Sequence, residues 1–248
     1  MTQASESSTK KKAQTILSLK NVGVNYNTSI IPGRGKDFWA LKDITLRLHQ
    51  GESLGVIGRN GMGKSTLLRV MANIMRPDKG EYFLRSGCTA SLLSLQVGFL
   101  PYLTGKENII LSGLLQGMSF SHIESLFTQI VEFSELGDTV YKPLWTYSDG
   151  MKARLGFAVS FHTHPDILLV DEVLGVGDAA FRSKSSDALR QIILSDRTVV
   201  LVSHNPDTVQ ELCERSIWIE QGRTMAEGPT ELVLREYNHY VQKYVQSQ

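Results

Sequence analysis

The sequence predicts an α/β fold in which strands alternate with helices around a glycine-rich strand-to-helix turn, with a helical insertion in the middle of the chain. Three observations carry this. The short apolar strand Glu52 to Ile57 runs into Gly58-Arg59-Asn60-Gly61-Met62-Gly63-Lys64-Ser65, after which apolar residues recur at helical spacing. A second apolar run, Ile167-Leu168-Leu169-Val170, ends in Asp171 and Glu172. Between them, from about Gly105 to Phe161, helical patterns displace the strand-helix alternation.

In order, residues 1–14 are polar and read as a frayed tail, its Lys10-Lys11-Lys12 solvated or touching anionic lipid. Thr15 to Tyr26 is β-rich, and a Pro/Gly loop follows with Pro32, Gly33 and Gly35. Ala40 to Leu48 alternates apolar and polar residues, as a half-buried strand does. A helix is expected from Lys64 to Met75. Further helices are expected from Glu107, over His122 to Leu136 and over Gly150 to Phe161. Strands return at Asp166 to Val170 and Thr198 to Val202, separated by a helix near Ala179 to Leu194. The tail reads as a hairpin turning near Gln221-Gly222, then a helix from Pro229. Residues 15–248 are thus one domain with a helical subdomain at about 105–161.

The 248 residues carry 26 Lys plus Arg against 25 Asp plus Glu, a net charge of +1. That balance lacks the basic stripe of a nucleic-acid binder, so no nucleic-acid partner is expected. Cys88 and Cys213 stand far apart, outside any ligand spacing, and read as reduced thiols. No apolar run approaches the ~18 residues of a bilayer span, and the start lacks the apolar stretch of a secretory signal. The chain is therefore expected to be cytoplasmic, with any membrane role supplied by a partner.

Residues 58–65 match G-x-x-x-x-G-K-[ST] in full, in the strand-loop-helix setting that its mechanism needs. Its glycines let backbone N–H groups turn inward as a nest for phosphate oxygens, and the helix N-terminus adds partial positive charge. Lys64 is expected to reach the β/γ-phosphates of ATP, and Ser65 to give an oxygen to Mg²⁺, with Thr66 completing the loop. Asp171, at the tip of a buried strand, fits a second Mg²⁺ partner acting through water. Glu172 is placed to polarise the attacking water as a general base. The bland alternative for both acids is a cap on a buried strand.

Tyr147-Ser148-Asp149-Gly150-Met151 opens a helix, with Ser148 standing 23 positions before Asp171. Here the chain resembles the ABC ATPases, whose signature is a serine-glycine helix cap in this place. The resemblance implies a P-loop NTPase ABC ATPase core with an antiparallel β subdomain and an inserted helical subdomain. It implies a homodimer that buries two ATPs, with Ser148 and Gly150 facing the nucleotide of the other protomer. His204 corresponds to the family's switch histidine, and Gly177-Asp178 to the loop that crosses to the partner. Tyr26 is the candidate platform for adenine or an ordinary strand-end tyrosine, and Gln96 the candidate residue linking metal to the membrane partner.

The stretches GRNGMGKSTLL, LTGKENI, EFSELG, TYSDGMKARLGFAVS and DILLVDEVLGVGDAAF are similar to ATPase subunits that export bacterial surface polysaccharides. This likeness implies two copies of an integral-membrane permease and a polymer carried on lipid, with O-antigen first and teichoic acid or capsule as alternatives. It implies a peripheral position on the cytoplasmic face of the inner membrane. Some O-antigen relatives carry a carbohydrate-binding domain after the ATPase, and none is expected before the end at Gln248. A soluble ABC ATPase and a P-loop kinase or GTPase are the competing classes. The first is disfavoured by the single cassette, the second by the signature helix.

Asp149 departs from the serine usual at the middle of the signature. A charge ~8 Å from a triphosphate charge, at an effective dielectric of ~20, costs ~2 kcal/mol. Either its carboxylate points away from the nucleotide or it slows turnover. The loop Asn27 to Phe38, with Ile30-Ile31, Arg34 and Lys36, is a contact for the membrane partner or lipid headgroups, or an ordinary surface loop. Tyr237, Tyr240 and Tyr244 share a helical face that suits sugar stacking or packing.

Overall fold

The computed structural model describes residues 14–27, 37–171 and 177–246. Residues 1–13 of the expected tail and 28–36 of the loop lie outside them, as does Glu172. Two long strands, β1 (Thr15–Asn27) and β2 (Asp37–His49), pair antiparallel, and β4 (Lys79–Leu84) joins the far side of β1. In β2 the buried Ile44, Leu46 and Leu48 alternate with exposed Asp43, Thr45 and Arg47, which is why this strand was legible as half-buried.

The parallel part holds β3 (Ser53–Ile57), β5 (Ala90–Leu92), β6 (Ile167–Asp171), β7 (Thr198–Val202) and β8 (Arg215–Glu220). Its order is β8-β3-β7-β6-β5, and β9 (Arg223–Pro229) returns antiparallel beside β8. Every residue of β7 and four of five in β3 and β6 are buried, as expected of strands covered on both faces. The two parts join where Asp43 of β2 pairs with Arg223 of β9. The Lys42 and Asp43 amides both donate to the Gly222 carbonyl, at 2.7 and 3.2 Å. Gln221 (φ 48°) and Gly222 (φ 75°) are both left-handed, the geometry that matches a two-residue turn to strand twist.

Helix α1 (Lys64–Met71) packs with β2, β5 and β6 in one apolar cluster. It ends four residues before the Met75 expected from the sequence. Asn73, at φ 55°, leaves the helical region there, and its amide closes on the Val70 carbonyl at 2.9 Å. Helices α5 (Ala179–Ile193), α6 (Pro206–Leu212) and α7 (Thr230–Gln246) belong to a second cluster. The middle of the chain forms α2 (Gly105–Leu115), α3 (Phe120–Ser134) and α4 (Asp149–Phe161) around a cluster of their own. Helix α2 starts on a reciprocal cap: Thr104 Oγ1 accepts from the Glu107 amide while the Glu107 carboxylate accepts from the Thr104 amide.

Tyr237 and Tyr240 pack on Trp218 of β8, with ring centroids 5.8 and 5.0 Å away. Both are half-buried against the second cluster, so their rings serve packing rather than an open sugar platform. The Tyr244 side chain lies outside the description. No helix among the described residues is long and apolar enough to cross a membrane.

Both cysteines are free, Cys88 half-buried and Cys213 buried. Burial, with the Glu52 carboxylate adding to it, pushes the Cys213 thiol up to about 12. The expected result of timed alkylation of the native protein at pH 8, read by mass spectrometry, is labelling of Cys88 well before Cys213. Equal rates would contradict the burial of Cys213.

Candidate functional site

The phosphate loop stands between β3 and α1, and its shape follows from its glycines. Gly58, Gly61 and Gly63 hold φ of 153°, 78° and 102°, a region that side-chain-bearing residues rarely enter. Close contacts add a second reason. A Cβ on Gly58 would lie 2.2 Å from the Ile219 carbonyl oxygen, and one on Gly63 2.5 Å from that of Ala40. Lys64 is the first residue of α1 and 7% exposed, so its ammonium is removed from bulk water. It donates to the carbonyls of Gly58 and Arg59 at 2.7 and 2.9 Å, which hold it over the loop.

Beside this loop opens a cavity of about 290 Å³, whose lining includes neither Gly58 nor Arg59. Asn60, Gly61, Gly63, Lys64, Ser65 and Thr66 line its floor, and Asp171 enters from the tip of β6. Tyr26 lines it as well, its hydroxyl 3.5 Å from Thr66 Oγ1 and 3.7 Å from Met75 Sδ. The parallel sheet brings Asp171 to the loop, because β3 and β6 flank β7 and end on the same side. Sequence reasoning missed Phe38 and Ala40, which line the mouth. Phe38 is cross-strand neighbour of Tyr26 and 56% exposed, a large apolar ring left at the rim. The signal was the alternation of β2, which puts Phe38 and Ala40 on one face, but that pattern names no ligand.

Other candidates lie apart from this cavity. Ser148 caps α4, its hydroxyl accepting from the Met151 amide at 3.2 Å, and a Cβ on Gly150 would meet only that hydroxyl, at 3.8 Å. Asp149 turns outward, its side chain 98% exposed and paired with Lys152 at 3.2 Å. His204 is exposed at the end of β7, just before the Asn205 cap of α6. Gln96 is exposed in the turn after β5. None of these five lines the cavity that holds the phosphate loop. Met62 faces the β8–β9 turn instead, its sulfur accepting from the Gln221 amide at 3.3 Å.

One tie links α4 to the start of α5. Arg154 of α4 donates to Asp178 at 2.6 Å, and Asp178 in turn caps α5 by accepting from the Phe181 amide at 3.0 Å.

A family model described as "ABC transporter" matches residues 41–175. A teichoic acids export ATP-binding protein of Listeria monocytogenes is 41% identical over 206 residues, 83% of this chain and 61% of that protein. The chain thus spans about three fifths of that relative's length. An O-antigen export system ATP-binding protein of Klebsiella pneumoniae is 41% identical over 204 residues, 82% of each. Among solved structures, a dimeric ATP-binding cassette bound to ADP and phosphate aligns at TM-score 0.68 and 23% identity, over 86% of this chain and 98% of that one. Its fold is the same as that of this chain. With a family model over more than half its length and a relative covered over four fifths at 41% identity, the chain belongs to the ABC transporter family as an ATP-binding cassette.

Proposed function

We propose that the protein hydrolyses ATP as one half of a cassette dimer and drives export of a lipid-linked surface polysaccharide through a membrane permease. The observation that carries the ATPase reading is the single cavity shared by Lys64, Ser65 and Asp171. Its donors suit a triphosphate: an ammonium, the backbone of a glycine loop and the N-terminus of α1. The hydroxyl of Ser65 and the carboxylate of Asp171 are oxygen ligands of the kind Mg²⁺ prefers, so these two residues would hold it. Bound there, Mg²⁺ would neutralise charge on the phosphate oxygens. Lys64 binds the β/γ-phosphates, Phe38 and Tyr26 offer ring surface to the base, and Glu172 takes the proton of the attacking water.

Ser148 and Gly150 stand outside that cavity, which suits a role on a second copy's nucleotide. His204 and Gln96 remain proposed as the γ-phosphate contact and the link to metal and permease. Residues 105–161 form the helical subdomain in this reading, and the chain works on the cytoplasmic face of the inner membrane. The relatives named for O-antigen and teichoic acid export support a polysaccharide cargo. O-antigen is the first reading and teichoic acid the second.

The test has two parts. Glu172→Gln keeps size and hydrogen bonding but removes the base, so ATP with Mg²⁺ should accumulate a stable dimer in light scattering. Turnover at the wild-type rate would remove Glu172 from the mechanism. Removing the gene from its host should strip polymer from the cell surface and leave it lipid-linked inside. Unaltered surface polymer would overturn the cargo assignment.

A further inference from the structure

The turn that closes β8 and β9 grips the phosphate loop at three successive residues. The Ile219 carbonyl abuts Gly58, the Glu220 carboxylate takes the Arg59 guanidinium, and the Gln221 amide meets Met62. The middle contact is a charged pair: Arg59 Nε donates to Glu220 Oε1 at 2.9 Å, and a second guanidinium nitrogen reaches the same oxygen. The Glu220 side chain is only 3% exposed, whereas that of Arg59 is 23% exposed. The guanidinium also lies over the Tyr240 ring of α7, 5.8 Å from its centroid.

A carboxylate this buried is costly unless a cation neutralises it, so Glu220 strongly favours the arrangement in which Arg59 stays against β8. That arrangement has a consequence for the ligand. The Arg59 carbonyl is one of the two that hold the Lys64 ammonium. Fixing the Arg59 side chain fixes the peptide that bears this carbonyl, and with it the position of Lys64. Burial of the pair also directs the guanidinium away from the 290 Å³ cavity, whose lining excludes Arg59.

We propose that Glu220 is a positioning residue for nucleotide binding, which acts through Arg59 on the phosphate loop and Lys64, and that Tyr240 couples α7 to the same loop. This rests on the nucleotide reading of the cavity. Displacing α7 would then be felt as weaker ATP binding, although none of the described α7 side chains lines the cavity.

The experiment measures ATP binding, KM, kcat and thermal melting on the full chain for Glu220→Gln, Arg59→Lys, Arg59→Met and the double variant Arg59→Met/Glu220→Gln. Glu220→Gln and Arg59→Met should each raise Kd and KM about tenfold with kcat within about twofold, and the double variant should be no worse than either single one. Arg59→Lys keeps the charge and should recover most of the affinity. Tyr240→Ala should raise KM in the same direction by a smaller factor. A merely structural pair would lower the melting temperature and leave KM alone, which would overturn the proposal. Tighter ATP binding by Glu220→Gln would overturn it too, because Arg59 would then be a phosphate ligand held in check. If Glu220→Gln fails to fold, Arg59→Met at its partly exposed site decides alone, and an unchanged KM there is fatal. Wild-type protein that takes up no ATP would sink the nucleotide reading itself, whereas normal uptake with indifferent variants sinks only the positioning role.

Discussion

Lys64→Ala is expected to lower ATP turnover by at least about a hundredfold, because it removes the ammonium that, alone among the described residues, lines the cavity from the start of α1. The fold should survive. Lys64 is nearly buried, but its ammonium donates to loop carbonyls, those of Gly58 and Arg59, and it belongs to none of the three apolar clusters. Removing the side chain leaves the carbonyls of Gly58 and Arg59 without this donor, a loss confined to the loop. Phosphate release assays on the purified chain, with circular dichroism as the check on folding, measure the effect. Wild-type turnover from a folded Lys64→Ala protein would remove the phosphate loop from the mechanism. A complementary arrangement uses two chains. Lys64→Ala and Ser148→Arg protomers, each inactive alone, should regain part of the activity when mixed. A shared site draws from both copies, so one of two sites in the mixed dimer escapes both substitutions. No recovery in a verified mixed dimer would count against sharing.

Gly156→Ala should be the most damaging single-methyl change in the middle of the chain. Gly156 lies in α4 between the fully buried Leu155 and Phe157, and its Cα faces the backbone of Leu95. An added Cβ would lie 1.3 Å from the Leu95 carbonyl oxygen and 2.3 Å from its carbon. No rotamer relieves a clash between Cβ and backbone, so helix and turn must part. The same face of α4 carries Ser160, whose hydroxyl donates to the Ser94 carbonyl at 2.7 Å, and that bond is strained with it. Overpacking of this kind costs about 3 kcal/mol or more. For a chain of this size that lowers the melting temperature by roughly 6–12 °C, measurable by calorimetry. A melting temperature within about 1 °C of wild type would show that α4 and the turn carrying Gln96 slide past one another freely.

The phosphate loop, the acid-tipped strand β6 and the capped helix α4 were legible because each is local. Gly58 to Ser65 set their own backbone, since the positive φ at Gly58, Gly61 and Gly63 needs residues without a Cβ. Asp171 was legible because an apolar run ending in an acid places a carboxylate at a strand tip. The turn at Gln221-Gly222 was found for the same reason, as one dipeptide that tolerates left-handed geometry. The end of α1 was misjudged, because Asn73 outweighs the apolar spacing that continues to Met75.

Tertiary structure decided the rest. Phe38 became a rim residue only when β2 paired with β1 and set it opposite Tyr26. Glu220 lies 161 residues from Arg59, and neither residue marks the other in the sequence. Their pairing exists because β8 lies beside β3 in the sheet, which brings the end of one strand to the loop that leaves the other. Tyr240 reaches the same point because α7 folds back on Trp218. Sequence carries what a few consecutive residues impose on their own backbone through sterics and hydrogen bonding. Which distant side chains then share a low-dielectric space is set by strand order, and it is there that a buried carboxylate acquires its cation.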